Sequence, residues 1–373
     1  MTLTDLTRDL VAIPSHEDET AAGDRIETWL RTETDAVVVR DEQDNVIARK
    51  PAAGQDAVDE NRPSLALVGH HDVVVPDDSQ VTDDGRFRIE HREGRLHGRG
   101  TADMKGAVAA LAFAFRDADP ACDLVFASFV GEENGGIGAR GAIDRGFAPD
   151  YAVVGEGSTD YSVPGVTDVV VVHKGRRGST ITARGESAHA SEPQEGENAV
   201  YRACDAVDVV RDLQSPAAEL SVLDRRVEGS VVVTKIEGGD AWNVIPDRCT
   251  VTVDERTVPG SRADLDRVER IDGVSWTVDQ DLPPMECEDP EFADAALDAA
   301  ADAQEGDPEH VIKPHATDAG WLAGAGTACL VCGPAEPGEA HTRDESVSVA
   351  VLNRCRDIYL GIAERFDPSD GRP

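Results

Sequence analysis

Leu65-Ala-Leu-Val-Gly-His-His-Asp72 is an apolar run that ends in a glycine, two imidazoles and a carboxylate. An apolar run without polar alternation is the pattern of a strand buried on both faces, as at the centre of a parallel sheet. Leu124–Val130 and Tyr151–Gly155 are runs of the same kind, and Lys105–Ala118 between them has helical apolar spacing. Strands alternating with helices predict an α/β layer on a largely parallel sheet. Such sheets bind ligands outside the carboxyl ends of their strands, where these runs stop.

Before this centre, Thr2 or Thr4 can cap a first helix that runs to Val11. Ser15 with Asp18 reads as a capping box for a helix near Glu17–Arg31, and Ala36–Arg40 and Val46–Lys50 are β-rich. After about Asp168 the pattern changes. Strands at Val169–Val172 and Ser179–Ala183, a helix at Asn198–Leu213 and strands at Ser230–Ile236 and Cys249–Thr257 are followed by a helix around Arg262–Ile271 and a strand at Val274–Val278. Strand-helix-strand-strand-helix-strand is the order of a split, ferredoxin-like α+β unit. From Pro290 helix and strand signals alternate as before, ending in a helix near Ser346–Phe366. The chain therefore reads as a two-domain α/β protein. Residues 1–168 and 280–373 form a discontinuous first domain, and residues 169–279 form the insertion.

At 373 residues, 40% of them apolar, the chain can bury a sizeable core. A formal net charge of -37 leaves no basic face for nucleic acid or anionic lipid. No apolar run approaches the roughly 20 residues that span a bilayer. Met1–Asp9 has no apolar signal-peptide core, so a cytoplasmic location is expected. A chain this acidic repels itself at low salt, which points to a high-salt cytoplasm. The seven cysteines are scattered and odd in number, which is not a disulfide framework. Cys329-Leu-Val-Cys332 reads as part of a buried strand rather than a redox or zinc pair.

Five clusters carry the candidate chemistry: His70-His71-Asp72, Asp103 in Gly98–Gly106, Glu132-Glu133 after Gly131, Glu156 between Gly155 and Gly157, and His341 in Ala340–Glu345. A lone His or Asp after a strand is ordinarily a satisfied polar group. Five such clusters in one chain are the donor chemistry of a metal centre. Zinc takes nitrogen and oxygen ligands, and a hydrolytic site leaves one position for water. Two zinc ions roughly 3.5–4 Å apart need a shared ligand, which a carboxylate can be and a neutral imidazole cannot. Gly136-Ile-Gly-Ala-Arg-Gly141 fits a dinucleotide pattern, but it follows the two glutamates rather than a strand and reads as a tight turn into a helix.

His70-x-Asp72, Gly-Arg-Gly-Thr-Ala-Asp103-Met-Lys-Gly, Glu132-Glu133, Gly-Glu156 and Ala-His341-Thr-x-Asp-Glu together resemble the M20 family of metallopeptidases and amidohydrolases. Within it they resemble the acetylornithine deacetylase/succinyl-diaminopimelate desuccinylase branch, over nearly the whole chain. The resemblance implies a phosphorylase/hydrolase-like catalytic domain with an inserted dimerisation domain. It implies two zinc ions per chain, with cobalt or manganese as alternatives. His70 and Glu156 would serve one ion and Glu133 and His341 the other, with Asp103 bridging. Asp72 would orient His70, and Glu132 would be the general base that passes a proton from water to the leaving amine. His71 is set aside because the family places its ligand at the first histidine.

In the insertion, Gly185-Glu-Ser-Ala-His189-Ala-Ser-x-Pro193 resembles the segment whose histidine stabilises the tetrahedral oxyanion in a partner subunit, which implies a homodimer. Asn243 and Arg256 resemble substrate contacts. Arg256 would grip an α-carboxylate, where the plainer reading is an ion pair with Asp254 or Glu255. Thr317-Asp-Ala-Gly320 resembles a loop of the acyl or side-chain pocket, which makes Thr317 a candidate contact. Trp321 follows where desuccinylases typically offer an arginine. A third valine before Pro76, and Gly157 where proline is common, depart from the family pattern without changing a ligand type. The expected activity is removal of the N-acyl group from a small amino acid. N-succinyl-LL-2,6-diaminopimelate stands first, N-acetylornithine second, and a di- or carboxypeptidase substrate third. A non-catalytic small-molecule-binding member is the alternative of another class. No nucleic-acid or membrane partner is expected.

Overall fold

A computed structural model of the chain describes residues 1–59, 61–220 and 226–368. It divides into two compact units. One holds Met1–Val172, Glu286–Lys313 and Thr317–Pro373; the other holds His173–Met285 and Pro314–Ala316. The divisions fall at 172/173 and 285/286, where the sequence suggests 168/169 and 279/280. The first shift follows from the strand Val169–His173, wholly buried and paired with Ala328–Val331 in the first unit's sheet, and the second from the strand Val274–Leu282, which stays paired with Arg176–Arg184 in the second unit.

That sheet runs in the order Val37–Arg40, Val46–Lys50, Asp123–Phe129, Ser64–His70, Tyr151–Val154, Ala328–Val331, Val169–His173, Met285–Glu286, with His310–Lys313 paired to Val169–His173. The four central strands, Asp123–Phe129 to Ala328–Val331, are mutually parallel. The apolar runs occupy these positions because both faces are covered. Leu65 and Leu67 are fully buried, each contributing roughly 1.5–3 kcal/mol. The helix Gly106–Asp117 is apolar all round, and ten of its 12 residues are buried. It lies against the sheet and the helices Leu3–Val11 and Val349–Arg365. Cys329 and Cys332 are buried at the Ala328–Val331 strand, as the structural reading of that pair requires.

Two local expectations change. Thr2 caps the first helix with a capping box to Asp5, but Ser15 caps nothing. The second helix spans Thr20–Glu33, and the buried Ser15 hydroxyl donates to the His71 carbonyl at 2.7 Å. At the C-terminal end, Ser346–Ser348 is a short strand paired with Arg95–His97, and Ser348 caps the helix Val349–Arg365.

The second unit carries a four-stranded antiparallel sheet in the order Ser230–Gly238, Arg248–Arg256, Arg176–Arg184, Val274–Leu282. Burial alternates along Arg176–Arg184 and Arg248–Arg256, the signature of a sheet covered on one face. The helix Ala199–Arg211, capped by Asn198, packs there around Ile181, Val251, Val253 and Ala203. The second expected helix is reduced to a six-residue 3-10 turn, Leu265–Arg270, that buries only Leu265 and Val268.

Candidate metal centre

The clustered residues sit where three parallel strands end. His70 is the last residue of Ser64–His70, Glu132 and Glu133 lie just beyond Asp123–Phe129, and Glu156 lies just beyond Tyr151–Val154. Nε2 of His70 is 3.0 Å from Asp103 Oδ1 and 3.3 Å from Glu156 Oε1. Its Nδ1 stands 3.3 Å from Asp72 Oδ1 and 3.1 Å from the Asp72 carbonyl. Nε2 of His341 is 3.0 Å from Asp103 Oδ2 and 2.9 Å from Glu133 Oε1. Asp103 therefore offers one oxygen to each imidazole. Donor atoms of His70, Glu132 and Glu156 lie within 4.8 Å of one another, as do those of His70, Asp103 and Glu133. His71 faces away: it is fully buried with Nδ1 2.8 Å from Ser128 Oγ, and burial lowers its pKa to about 3.

The supporting residues are as specific. Asp72 accepts the backbone N–H of Glu132 at 3.1 Å and that of Glu133 at 3.0 Å. Glu345 accepts the backbone N–H groups of Gly100, Ala102 and Asp103 and pairs with Arg99 at 2.6 Å. The loop that presents Asp103 is thus tied to the segment that carries His341. No role was foreseen for Glu345. The only signal was its place in the Ala-His-Thr-x-Asp-Glu motif, since a three-amide grip depends on a backbone curvature that sequence does not display.

The electrostatics fit a cation. Burial opposes the charge of Asp103, but hydrogen bonds from His341 and His70 hold its pKa well below the usual carboxylate range. Burial raises Glu132 well above that range, against the pull of His70 and with the push of Asp318, Glu156 and Asp103. Burial also lifts Asp318 to about 7, and its Oδ1 has no hydrogen-bond partner. Hydrogen bonds to Asp103 and Glu133 raise His341 to about 10, while burial opposes. The nearby ammonium of Lys313 is 3.9 Å from Glu156 and is itself taken up by the Gly157 carbonyl at 2.8 Å. Two imidazoles facing Asp103, Glu133 and Glu156 with so little counter-charge are a donor set suited to divalent ions.

The remaining candidates have local partners of their own. Thr317 is buried and caps the helix Asp318–Gly324, its hydroxyl accepting the Ala319 N–H at 3.2 Å. Trp321, on that helix, is covered by the Arg140 guanidinium 4.9 Å from its ring centroid. In the second unit, Asn243 brings its side-chain nitrogen within 3.4 Å of His189 Nε2. Arg256 pairs with Asp254 at 2.8 Å, which is the ion pair the sequence offered as the plainer alternative.

The family described as peptidase family M20/M25/M40 matches residues 66–365. The chain is 29% identical over 326 residues to the acetylornithine deacetylase of Proteus mirabilis, covering 81% of this chain and 79% of that one. It is 29% identical over 350 residues to the acetylornithine deacetylase of Myxococcus xanthus, covering 87% and 84%. The structure of the aminopeptidase PepT from Bacillus cereus superposes with a TM-score of 0.75 at 19% identity over 97% of each chain. The YXEP protein of Bacillus subtilis, described as a dinuclear metal binding peptidase from the M20 family, superposes with a TM-score of 0.70 at 16% identity over 97% and 96%. These likenesses establish the two-part mixed α/β fold. The chain belongs to peptidase family M20/M25/M40, the metal-dependent hydrolases of amide bonds.

Proposed function

We propose that this protein is a dinuclear amidohydrolase that removes the acetyl group from an N-acetyl amino acid, with N-acetylornithine as the first substrate to test. The observation that carries the reading is the carboxylate of Asp103, shared between His70 and His341 and flanked by Glu156 and Glu133. His70 and Glu156 would hold one ion and Glu133 and His341 the other, with Asp103 placed to serve both. Zinc would suit these nitrogen and oxygen donors, and cobalt or manganese would meet the same set. When bound, they supply Lewis acidity that polarises the amide carbonyl and acidifies a water.

The chain's own residues do the rest. Asp72 holds His70 by its Nδ1 so that Nε2 faces the centre. Glu132 takes one proton from the attacking water as the C–O bond forms. It then delivers that proton to the amide nitrogen as the C–N bond breaks, and the second water proton passes from the new carboxyl group to the amine, so that acetate and an ammonium group are released. His189 donates a hydrogen bond to the oxyanion of the tetrahedral intermediate, Asn243 assists it, and Arg256 binds the substrate α-carboxylate. Thr317 contributes through the helix it caps. A homodimer is proposed with the His189 role, and the high negative charge supports a salt-rich cytoplasm as its setting.

The desuccinylase expectation gives way to the deacetylase for two reasons. The two curated relatives compared above, similar over most of the chain, are named acetylornithine deacetylase. Trp321 also follows Gly320 where the resemblance to desuccinylases leads to an arginine in the sequence. Amine release from N-acetylornithine and N-succinyl-LL-diaminopimelate is measured side by side in molar KCl with zinc, with Glu132→Ala as blank. Turnover of the acetyl substrate alone is expected. Turnover of the succinyl substrate alone overturns the assignment.

A further inference from the structure

His189 lies in an exposed loop, yet three neighbouring groups meet its ring. The backbone N–H of Ser191 donates to Nδ1 at 3.2 Å, and Ser191 Oγ is 2.6 Å from the same nitrogen. The side-chain amide of Asn243 is 3.4 Å from Nε2. The loop's backbone is tied down around the ring. Ala190 N–H donates to the Asn243 carbonyl at 2.9 Å, Ile245 N–H to the Ala188 carbonyl at 2.8 Å, and Glu192 N–H to the His189 carbonyl at 2.8 Å.

Two of the three ring contacts are reversible. A hydroxyl rotates, and an amide exchanges its oxygen and nitrogen by turning over, so each can donate or accept. The backbone N–H of Ser191 can only donate. It requires a lone pair at Nδ1, and a neutral imidazole with a bare Nδ1 carries its proton on Nε2. Turning the ring over would set a carbon against that N–H and leave the donor unmet.

We infer that Ser191 is a positioning residue that sets the tautomer of His189, holding the ring proton on Nε2. The inference rests on the oxyanion-donor role proposed for His189. In the opposite tautomer Nε2 presents a lone pair, which repels an oxyanion instead of stabilising it. With the proton on Nε2, Asn243 turns its oxygen toward the ring. The Ser191 hydroxyl, 2.6 Å from Nδ1, is compatible with this state by sharing the same lone pair as a donor.

Zinc-loaded full-length protein labelled with 15N-histidine gives the tautomer directly, from two-bond couplings between ring protons and the two nitrogens. His189→Gln identifies the His189 signals. At pH 8 a protonated Nε2 and a bare Nδ1 are expected. A protonated Nδ1 in the wild type overturns the inference. Ser191→Ala keeps the backbone donor and is expected to keep the tautomer; loss of the tautomer there overturns the assignment to the backbone. Ser191→Pro removes the donor. It is expected to mix the tautomers and lower kcat roughly three- to tenfold with KM within about twofold, the scale of one hydrogen bond. An unchanged tautomer and unchanged kcat in folded Ser191→Pro overturn the inference. If Ser191→Pro does not fold, the wild-type spectrum still decides. Full activity of His189→Ala would instead remove the catalytic role while leaving the tautomer to stand or fall on its spectrum.

Discussion

Asp72 accepts the backbone N–H of Glu132 at 3.1 Å with Oδ1, the same oxygen that stands 3.3 Å from Nδ1 of His70. Its other oxygen accepts the N–H of Glu133 at 3.0 Å. One buried carboxylate thus sets the orientation of a proposed ligand and the turn that carries the proposed base and a second ligand. Asp72→Asn replaces one acceptor oxygen with a donor and cannot serve both amides. Zinc affinity, read by competition with a chelator, is expected to fall roughly 10- to 100-fold. Affinity unchanged from wild type would show that the clamp does not organise the centre.

Glu132 is proposed to move a proton rather than to hold an ion. Glu132→Gln should lower kcat by roughly 10²–10⁴-fold while metal content per chain stays at the wild-type value. Loss of metal together with activity would make Glu132 a ligand, an outcome the closeness of its donor atoms to those of His70 and Glu156 keeps testable.

Arg256 pairs with Asp254, and the α-carboxylate role asks it to serve substrate as well. Arg256→Ala is expected to raise KM on the order of ten- to a hundredfold, more than it lowers kcat. An effect on stability alone would return Arg256 to its ion pair. Burial works against the charge of Asp254, but Arg176 and Arg256 outweigh it and hold its pKa below the ordinary value. A depressed folded-state pKa gives stability above the unfolded value, near 3.9, that is lost as pH falls through the folded value. Removing Arg256 raises the folded value, so acid unfolding of the variant should begin at slightly higher pH. The shift is small because Arg176 remains 2.7 Å from Asp254.

A net charge of -37 makes self-repulsion large at low ionic strength. The screening length falls from about 10 Å at 0.1 M to about 3 Å at 1 M salt. Melting temperature should therefore rise by roughly 5 °C or more between 0.1 M and molar KCl. Equal stability in both would contradict adaptation to high salt.

The parallel core was legible because Leu65–Val68 and Leu124–Val130 are short apolar runs without alternation, the pattern of strands covered on both faces. His70, Asp103, Glu133 and Glu156 were legible because each follows such a run or lies in a glycine-bearing stretch, and His341 through the motif Ala-His-Thr-x-Asp-Glu. The clamps were not. Ser15 looks like a helix cap and instead reaches the His71 carbonyl, and Glu345 gathers three amides far away in sequence. Both partnerships are made by the folded backbone, and periodicity carries no record of them. Leu265–Arg270 has the spacing of a helix, but with only Leu265 and Val268 buried it stops at a 3-10 turn.

The most direct test is metal stoichiometry by mass spectrometry on zinc-loaded protein, wild type beside Asp103→Ala. The shared oxygens of Asp103 predict about two ions per chain in the wild type and loss of tight binding at both positions in the variant. A wild type that holds at most one ion, or an Asp103→Ala chain that still holds two, would contradict the dinuclear centre.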